Sequence, residues 1–421
     1  MTDNVPSSHH ASHRLGWSWF PSLIFGDGML PSVLVMTIVM LHRLGYNNAQ
    51  TALYMALLCI PLVLRPLFEM IVTHFHGTTK VWILSAEFIS AISLWAIAFI
   101  IPTAYVREGI LCILPFFVVA GVFYNTAMNR FYIESSATGG QYAVRIIMRA
   151  ISLLFGIGAI TMIAGNMEVV SRNVRYSWSL VLYIMAGTEF FLWLWHSIFL
   201  PHHHAAEKDI FGLHTDDYTL VANHIASKLE GRLTLYFFPI FVLPLALSAV
   251  VTPLLLVDAP HNGGLGLSPQ EFGLTFGTIG VIAAAVGYAA GEKAIRLNGV
   301  CLWIIPLTVV MSVHPLSALY LSYNLASPLT TIGVACIVGG LGLGLGMAAY
   351  MSTIRLFATA AKGEILRRAV AISLIALTMV VATTFSGLLE TNVGYRQFFT
   401  IVVGLYTAPI VASILYALLR K

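Results

Sequence analysis

The chain has 421 residues, of which 58% are hydrophobic and 10% charged, with a net charge of +4. Soluble domains carry about 25% charged residues, so a soluble globular protein is excluded. The apolar runs are continuous rather than alternating, which excludes a transmembrane β-barrel. The expected fold class is an all-α polytopic membrane protein with twelve transmembrane helices in two six-helix bundles.

The first stretch, residues 1–16, is polar and histidine-containing and reads as a cytoplasmic tail. It lacks the basic n-region and small-residue cleavage site of a signal peptide, so the first helix is expected to be retained. Apolar runs then fall near 17–42, 50–73, 81–101, 109–133, 142–165 and 177–200. Each is long enough for a hydrocarbon core of about 30 Å. The polar stretch 201–232 reads as a cytoplasmic linker. Its His202, His203, His204, His214 and His224 match no closed zinc spacing and have no cysteine beside them, so no metal site is expected. Six more runs follow near 233–257, 269–290, 299–321, 329–354, 366–389 and 397–419. The domains are therefore 17–200 and 233–421, the layout of two parallel repeats.

Lysine and arginine set the orientation. With the N-terminus inside, sixteen basic residues fall at cytoplasmic ends and loops, five fall outside, and Arg65 lies within a span. This asymmetry predicts both termini in the cytoplasm. Cys59, Cys112, Cys301 and Cys336 all lie in apolar runs and read as buried thiols.

Charge within a span is costly, about 2.5 to 3.5 kcal/mol on insertion scales, and such residues face a bundle interior or an aqueous path. Asp27 stands in Phe25-Gly26-Asp27-Gly28-Met29-Leu30-Pro31, where glycine and proline loosen the helix around the carboxylate. Glu87 and Glu189 lie within the third and sixth spans. Asp27, Glu87 and Glu189 are the candidates for proton coupling; the two glutamates are equally readable as protonated or hydrogen-bonded structural groups. The interiors of the last six spans are expected to hold no charge.

Arg65 and Glu69 share a helix face at i, i+4, either as a self-neutralising pair or as a gate or substrate contact. Arg145 and Arg149 also share a face near a cytoplasmic end, where reaching toward lipid phosphate is the default reading. Asn125 and Asn129 sit one turn apart beside Tyr124, either as interhelical glue or as hydrogen-bonding groups for a sugar or peptide. Tyr236, Tyr350, Thr383 and Thr384 offer hydroxyls in the second half. The substrate-binding candidates are thus Arg65, Glu69, Tyr124, Asn125, Asn129, Tyr236 and Tyr350. Gly339 to Gly346 alternates glycine with leucine, which suits close helix approach. Without a strand or a basic residue it is no nucleotide loop. No nucleophile–base constellation appears, and the chain does not read as an enzyme.

Leu30-Pro31-Ser32-Val33-Leu34-Val35-Met36-Thr37, Arg43-Leu44-Gly45 with Asn48, Ala52-Leu53-Tyr54 and Arg65-Pro66-Leu67-Phe68 resemble the AmpG-type muropeptide permeases and their acetyl-CoA transporter relatives. The twelve-span layout resembles the wider major facilitator superfamily. Asn125 and Asn129 stand where the narrower family carries two aspartates, and Thr73 stands where the second-span motif closes on an acid. An amide cannot release a proton at physiological pH. The resemblance implies an alternating-access permease for a sugar-containing or amphiphilic solute, such as a muropeptide, with proton symport as an option. The alternatives are a carrier for a siderophore, acyl-CoA or drug, and a non-transporting subunit that binds a partner protein or lipid. The expected partners are a small organic solute, protons and membrane lipid, with no nucleic acid and no cofactor, for a monomeric protein.

Overall fold

The structure is a computed structural model that describes residues 9–74, 78–134, 142–201, 229–360 and 363–419. The linker histidines and residues 75–77 lie outside the described residues. Among the described residues ten helices are long and apolar enough to cross a membrane: α1 Ser18–Arg43, α3 Thr79–Ile100, α4 Val106–Phe131, α5 Ala143–Ser171, α6 Val174–Phe199, α7 Leu235–Val257, α8 Pro269–Asn298, α9 Val300–Tyr323, α10 Leu329–Thr359 and the stretch Glu364–Leu418. A bent pair, Asn48–Val63 and Arg65–Val72, supplies α2. The last stretch has 55 residues, about 80 Å of helix, more than twice a hydrocarbon core. It breaks at Gly394, whose φ of 76° and ψ of 162° are non-helical, a backbone that only glycine adopts without strain. Residues 364–393 are therefore α11 and 395–418 are α12, and the described residues hold twelve spans.

The first helix runs back to His9, into the stretch expected as a tail. The bend in α2 falls between Pro61 and Pro66, each of which removes a backbone donor, and it places Arg65 at the break. Within the first six spans α3 packs on α4 and α6, and α5 on α1 and α6. Within the last six, α8 packs on α10, α7 on α11 and α12, and α9 on α10 and α12. The halves meet where α2 touches α11, α5 touches α8, and α7 touches α1 and α2.

Glycine explains the tightest of these contacts. In α10, Gly340 and Gly344 face α8, and a Cβ at Gly344 would collide with the Ala284 carbonyl. Gly339, Gly342 and Gly346 face α9 instead, against Ser317, Val310 and Met311. The alternating run thus serves two helix faces at once, as i, i+3 and i, i+4 spacings require. Between the halves, π-helical turns at Leu154–Ile160 of α5 and Gly273–Gly280 of α8 lie against each other. There Gly277 meets the Ile157 carbonyl and Gly158 meets Thr278.

One expectation fails. Cys112 is exposed and the other three cysteines are only partly buried; all four are free. At helix ends of the last six spans Glu292, Arg367 and Glu390 are each at most 5% exposed. The helices run past the apolar runs that defined them, so residues just beyond those runs are packed rather than solvated.

Candidate functional site

Asp27 ends the first part of α1, at the break before Met29. Its neighbours make room for other helices. A Cβ on Gly26 would strike the Tyr124 hydroxyl of α4, and one on Gly28 would strike the side chain of Ser152 of α5. The glycine–aspartate–glycine sequence therefore lets α1, α4 and α5 converge on one carboxylate. Asp27 Oδ1 accepts from Asn125 Nδ2 of α4, and Oδ2 pairs with Arg149 Nη2 of α5. Asn129 Nδ2 donates to the Asn125 carbonyl at 2.7 Å and to its Oδ1 at 3.1 Å. With Oδ1 so engaged, the Asn125 amide turns its NH2 to Asp27. The two asparagines thus orient a carboxylate, and Asp27 sits in an ion pair.

Arg149 keeps 53% of its side chain exposed while Asp27 keeps 2%. A short way off, Arg65 Nε lies 3.7 Å from Glu69 Oε1, both almost buried. That separation is an ion pair rather than a hydrogen bond, and Arg65 Nε has no hydrogen-bond partner. Among the described residues no contact joins Arg65 to Asn125 or Asn129. These three substrate-binding candidates therefore fall into two neighbouring groups. Arg368 of α11 connects them, being close enough to feel the charges of Arg65, Arg145, Arg149 and Glu69. Tyr288 of α8 is also close enough to act on the Arg149 charge. The outcome is a basic cluster in which Arg65 of α2, Arg145 and Arg149 of α5 and Arg368 of α11 come from both halves, with Arg130 of α4 also acting on Glu69. The sequence reading counted Arg368 only as part of the positive-inside bias; its position at the start of a span was the available signal.

The other acids of the first half lie deeper. Glu87 Oε1 is 2.5 Å from His196 Nδ1, with both side chains at most 1% exposed. His196 Nε2 lies 2.9 Å from Ser22 Oγ of α1. Glu87, Glu189, Tyr124, Ser90 and Asp27 line a small cleft with room for about one water. Tyr124 donates to the Leu23 carbonyl at 2.8 Å. All three proton-coupling candidates therefore border one space, which sequence position alone did not reveal.

The second-half candidates are elsewhere. Tyr350 is fully buried, stacked on Phe241 with ring centroids 4.6 Å apart, and its hydroxyl donates to the Phe238 carbonyl. Tyr236 is exposed near the start of α7. Thr383 and Thr384 donate to backbone carbonyls of Ala246 and Val380. Glu292 of α8 clamps α10, accepting from Arg355 Nη1 at 2.8 Å and pairing with Arg296 at 3.3 Å.

At the end poor in basic residues the halves are tied together. Asn48 of α2 donates to Asp258 Oδ2 at 3.1 Å, Glu390 Oε2 at 2.9 Å and the Tyr395 hydroxyl at 2.8 Å, so these acceptors share its two N–H groups. Tyr395 in turn donates to Asp258 at 3.0 Å. Burial alone would raise the Asp258 carboxyl. Hydrogen bonds from Asn262, Asn48, the Ala259 amide and Tyr395 outweigh it and hold the group below the ordinary aspartate range. Gly387 of α11 lets this end close: a Cβ there would lie 2.6 Å from Ala52 Cβ.

No protein-family model matches the chain, and no curated protein matches it. Solved structures do. The nucleoside transporter NupG superposes with a TM-score of 0.68 at 15% identity, over 97% of this chain and 99% of that one. A POT family transporter in complex with a thioalcohol-conjugated peptide gives 0.67 at 11%, over 97% and 96%. A bacterial homologue of the human lysosomal transporter Spinster, inward-facing and unoccupied, gives 0.65 at 13%, over 99% and 98%. At such identities the likeness concerns the fold, and by that likeness the chain is a polytopic membrane protein with the twelve-helix fold of the major facilitator type.

Proposed function

We propose that the protein is a secondary transporter that carries a small organic solute bearing a carboxylate or phosphate across a bacterial inner membrane by alternating access. The observation that carries this reading is the basic cluster of Arg65, Arg145, Arg149 and Arg368 beside the Asp27 and Glu69 carboxylates, which we read as a vestibule. Guanidinium groups keep their charge and bind such anions through paired N–H donors. A positive field between low-dielectric walls also concentrates anions. The resemblance to muropeptide permeases adds a sugar-containing, amphiphilic body to that anionic group. The muropeptide class joins both chemistries.

The basic-rich end is assigned to the cytoplasm, with both termini there, and the vestibule lies toward it. In this conformation the opposite end is closed by Asn48, Asp258, Glu390 and Tyr395. Transport requires that these contacts break as the vestibule closes, with the α5–α8 glycine contact as the fulcrum.

Uptake of a labelled panel into proteoliposomes tests the reading. The panel comprises anionic sugar-peptides, sugar phosphates, acyl thioesters and neutral sugars. Saturable uptake restricted to anionic members, reduced at least tenfold in Arg368→Ala, supports it. Equal uptake of neutral analogues, or full activity in Arg368→Ala, rejects the vestibule as the solute site. Absence of uptake together with a stoichiometric co-purifying protein points to a non-transporting subunit.

A further inference from the structure

We propose that Glu87 and His196 form a proton-loading site inside the first half, and that Ser22 couples its occupancy to the position of α1. The coupling to solute rests on the transport reading; the binding of the proton does not.

The hydrogen-bond directions carry the argument. Ser22 Oγ donates its proton to the Trp19 carbonyl at 2.9 Å. It therefore has only lone pairs to offer His196 Nε2, 2.9 Å away. With the Ser22 proton placed on that carbonyl, Nε2 carries a hydrogen. With Nε2 protonated, the 2.5 Å contact between Nδ1 and Glu87 Oε1 needs one proton between the two atoms. That proton sits on the imidazole, giving an ion pair, or on the carboxyl, giving a neutral pair. Without it a nitrogen lone pair faces a carboxylate in a water-poor interior, which the low local dielectric penalises heavily. The pair thus holds one proton more than an ionised glutamate and a neutral histidine, and in this conformation it is loaded.

A route for release adjoins it. Glu87 Oε2 is buried and has no hydrogen-bond partner, and Glu87 lines the cleft that has room for about one water. The titratable groups facing the pair are Glu189 on its own helix α6, Tyr124 on α4 and Asp27 on α1, the last held by Arg149. Lys80, two turns from Glu87 on α3, donates to the carbonyls of Ser197 and Leu200. A water in the cleft accepts the proton as the Nδ1–H–Oε1 link opens; no electrons move and nothing else leaves. If α1 withdraws Ser22, Nε2–H loses its acceptor. The imidazole is then free to take the other tautomer and give its Nδ1 hydrogen to an ionised Glu87, so the extra proton is no longer required. The helix that carries Asp27 to the vestibule therefore also holds the proton lock.

Infrared difference spectroscopy of the purified protein across a pH titration reads the site without any solute. A carbonyl-stretch band of a protonated carboxyl, or the matching imidazolium band, should appear on acidification, vanish in Glu87→Gln and persist in Glu189→Gln. Ser22→Ala should shift its midpoint, because it removes the acceptor that fixes the tautomer. A signal that fails to titrate, or is unchanged in folded Glu87→Gln, overturns the proposal. His196→Gln keeps a hydrogen bond without the imidazole and should remove any imidazolium band and shift the midpoint of the Glu87 carboxyl band while leaving the protein folded; an unmoved midpoint overturns the pairing. In proteoliposomes Glu87→Gln should abolish accumulation driven by a pH gradient and retain solute exchange. Loss of neither overturns coupling, whereas no transport by the unaltered protein under any gradient rejects the transport reading and leaves the infrared result to decide proton binding.

Discussion

The two halves share a layout and differ in what they bury. The first half places Asp27, Glu87 and Glu189 deep in its spans, each beside another helix with polar partners or a shared cleft. The second half keeps its buried acids near helix ends, at Glu292 and at Glu390 beside Asp258, and packs its middle with glycine against backbone. Mid-membrane carboxylates are expensive and persist where they act on ions or protons. Glycine contacts let helices approach and slide. The difference teaches a division of labour, with charge chemistry in the first half and close, compliant packing in the second.

The largest expected effect breaks the packing side of this comparison. Gly344→Leu drives a side chain into the Ala284 carbonyl of α8, while Gly187 in the first half has open space around its Cβ direction. Overpacking costs about 1–3 kcal/mol and more where backbone must move. Gly344→Leu should abolish or strongly lower the thermal unfolding transition in detergent, and Gly187→Leu should leave it within about 0.5 kcal/mol. Equal loss in both would end the claim that the two halves pack differently.

The next effect concerns charge. Asp27→Ala strands Arg149 and frees the Asn125 amide. Breaking a fully buried pair costs about 3–5 kcal/mol, and because Arg149 is half exposed the expected loss is smaller, about 1–3 kcal/mol. Asp27→Ala combined with Arg149→Ala should recover part of it in a double-mutant cycle of denaturation measurements. Strict additivity would mean that the ion pair adds nothing.

The smallest effect tests the tie between the halves. The Asp258 carboxyl is held below its ordinary range, so it stabilises the folded state above the unfolded pKa of about 4. That stability is lost as pH falls through the still lower folded value. It should therefore be constant from neutral pH to weak acid and fade only in stronger acid. Asp258→Asn should lower the unfolding temperature at neutral pH by a few degrees, and the gap to the unaltered protein should close below that point. A gap that persists unchanged in strong acid would remove the carboxylate from the tie.

Much of the fold was legible because a hydrocarbon core demands long apolar helices, and twelve runs of that kind are visible in the residues. Gly26 and Gly28 beside Asp27 were legible as a loosened helix, but their purpose, admitting Tyr124 and Ser152, was not. The site was legible only in part. Asp27, Glu87 and Glu189 stand out because charge in an apolar run is rare. Asn125 and Asn129 stood out as a pair, yet whether they served a solute or a neighbour depended on which helix they faced. Tyr350 looked like a cavity hydroxyl, and its Phe238 partner lies 112 residues away.

By itself the sequence determined what local cost can determine: that the chain lives in a membrane, that it crosses many times, that its charge is uneven between its two ends, and that three acids sit where acids are costly. Tertiary structure alone decided which charges meet. Arg149 answers Asp27 across 122 positions, Glu87 answers His196 across 109, and Asn48 reaches Glu390 across 342. The physical reason is that burial has a cost written in each residue, whereas pairing is a property of two helices brought together by packing, and a single chain position carries no record of its partner.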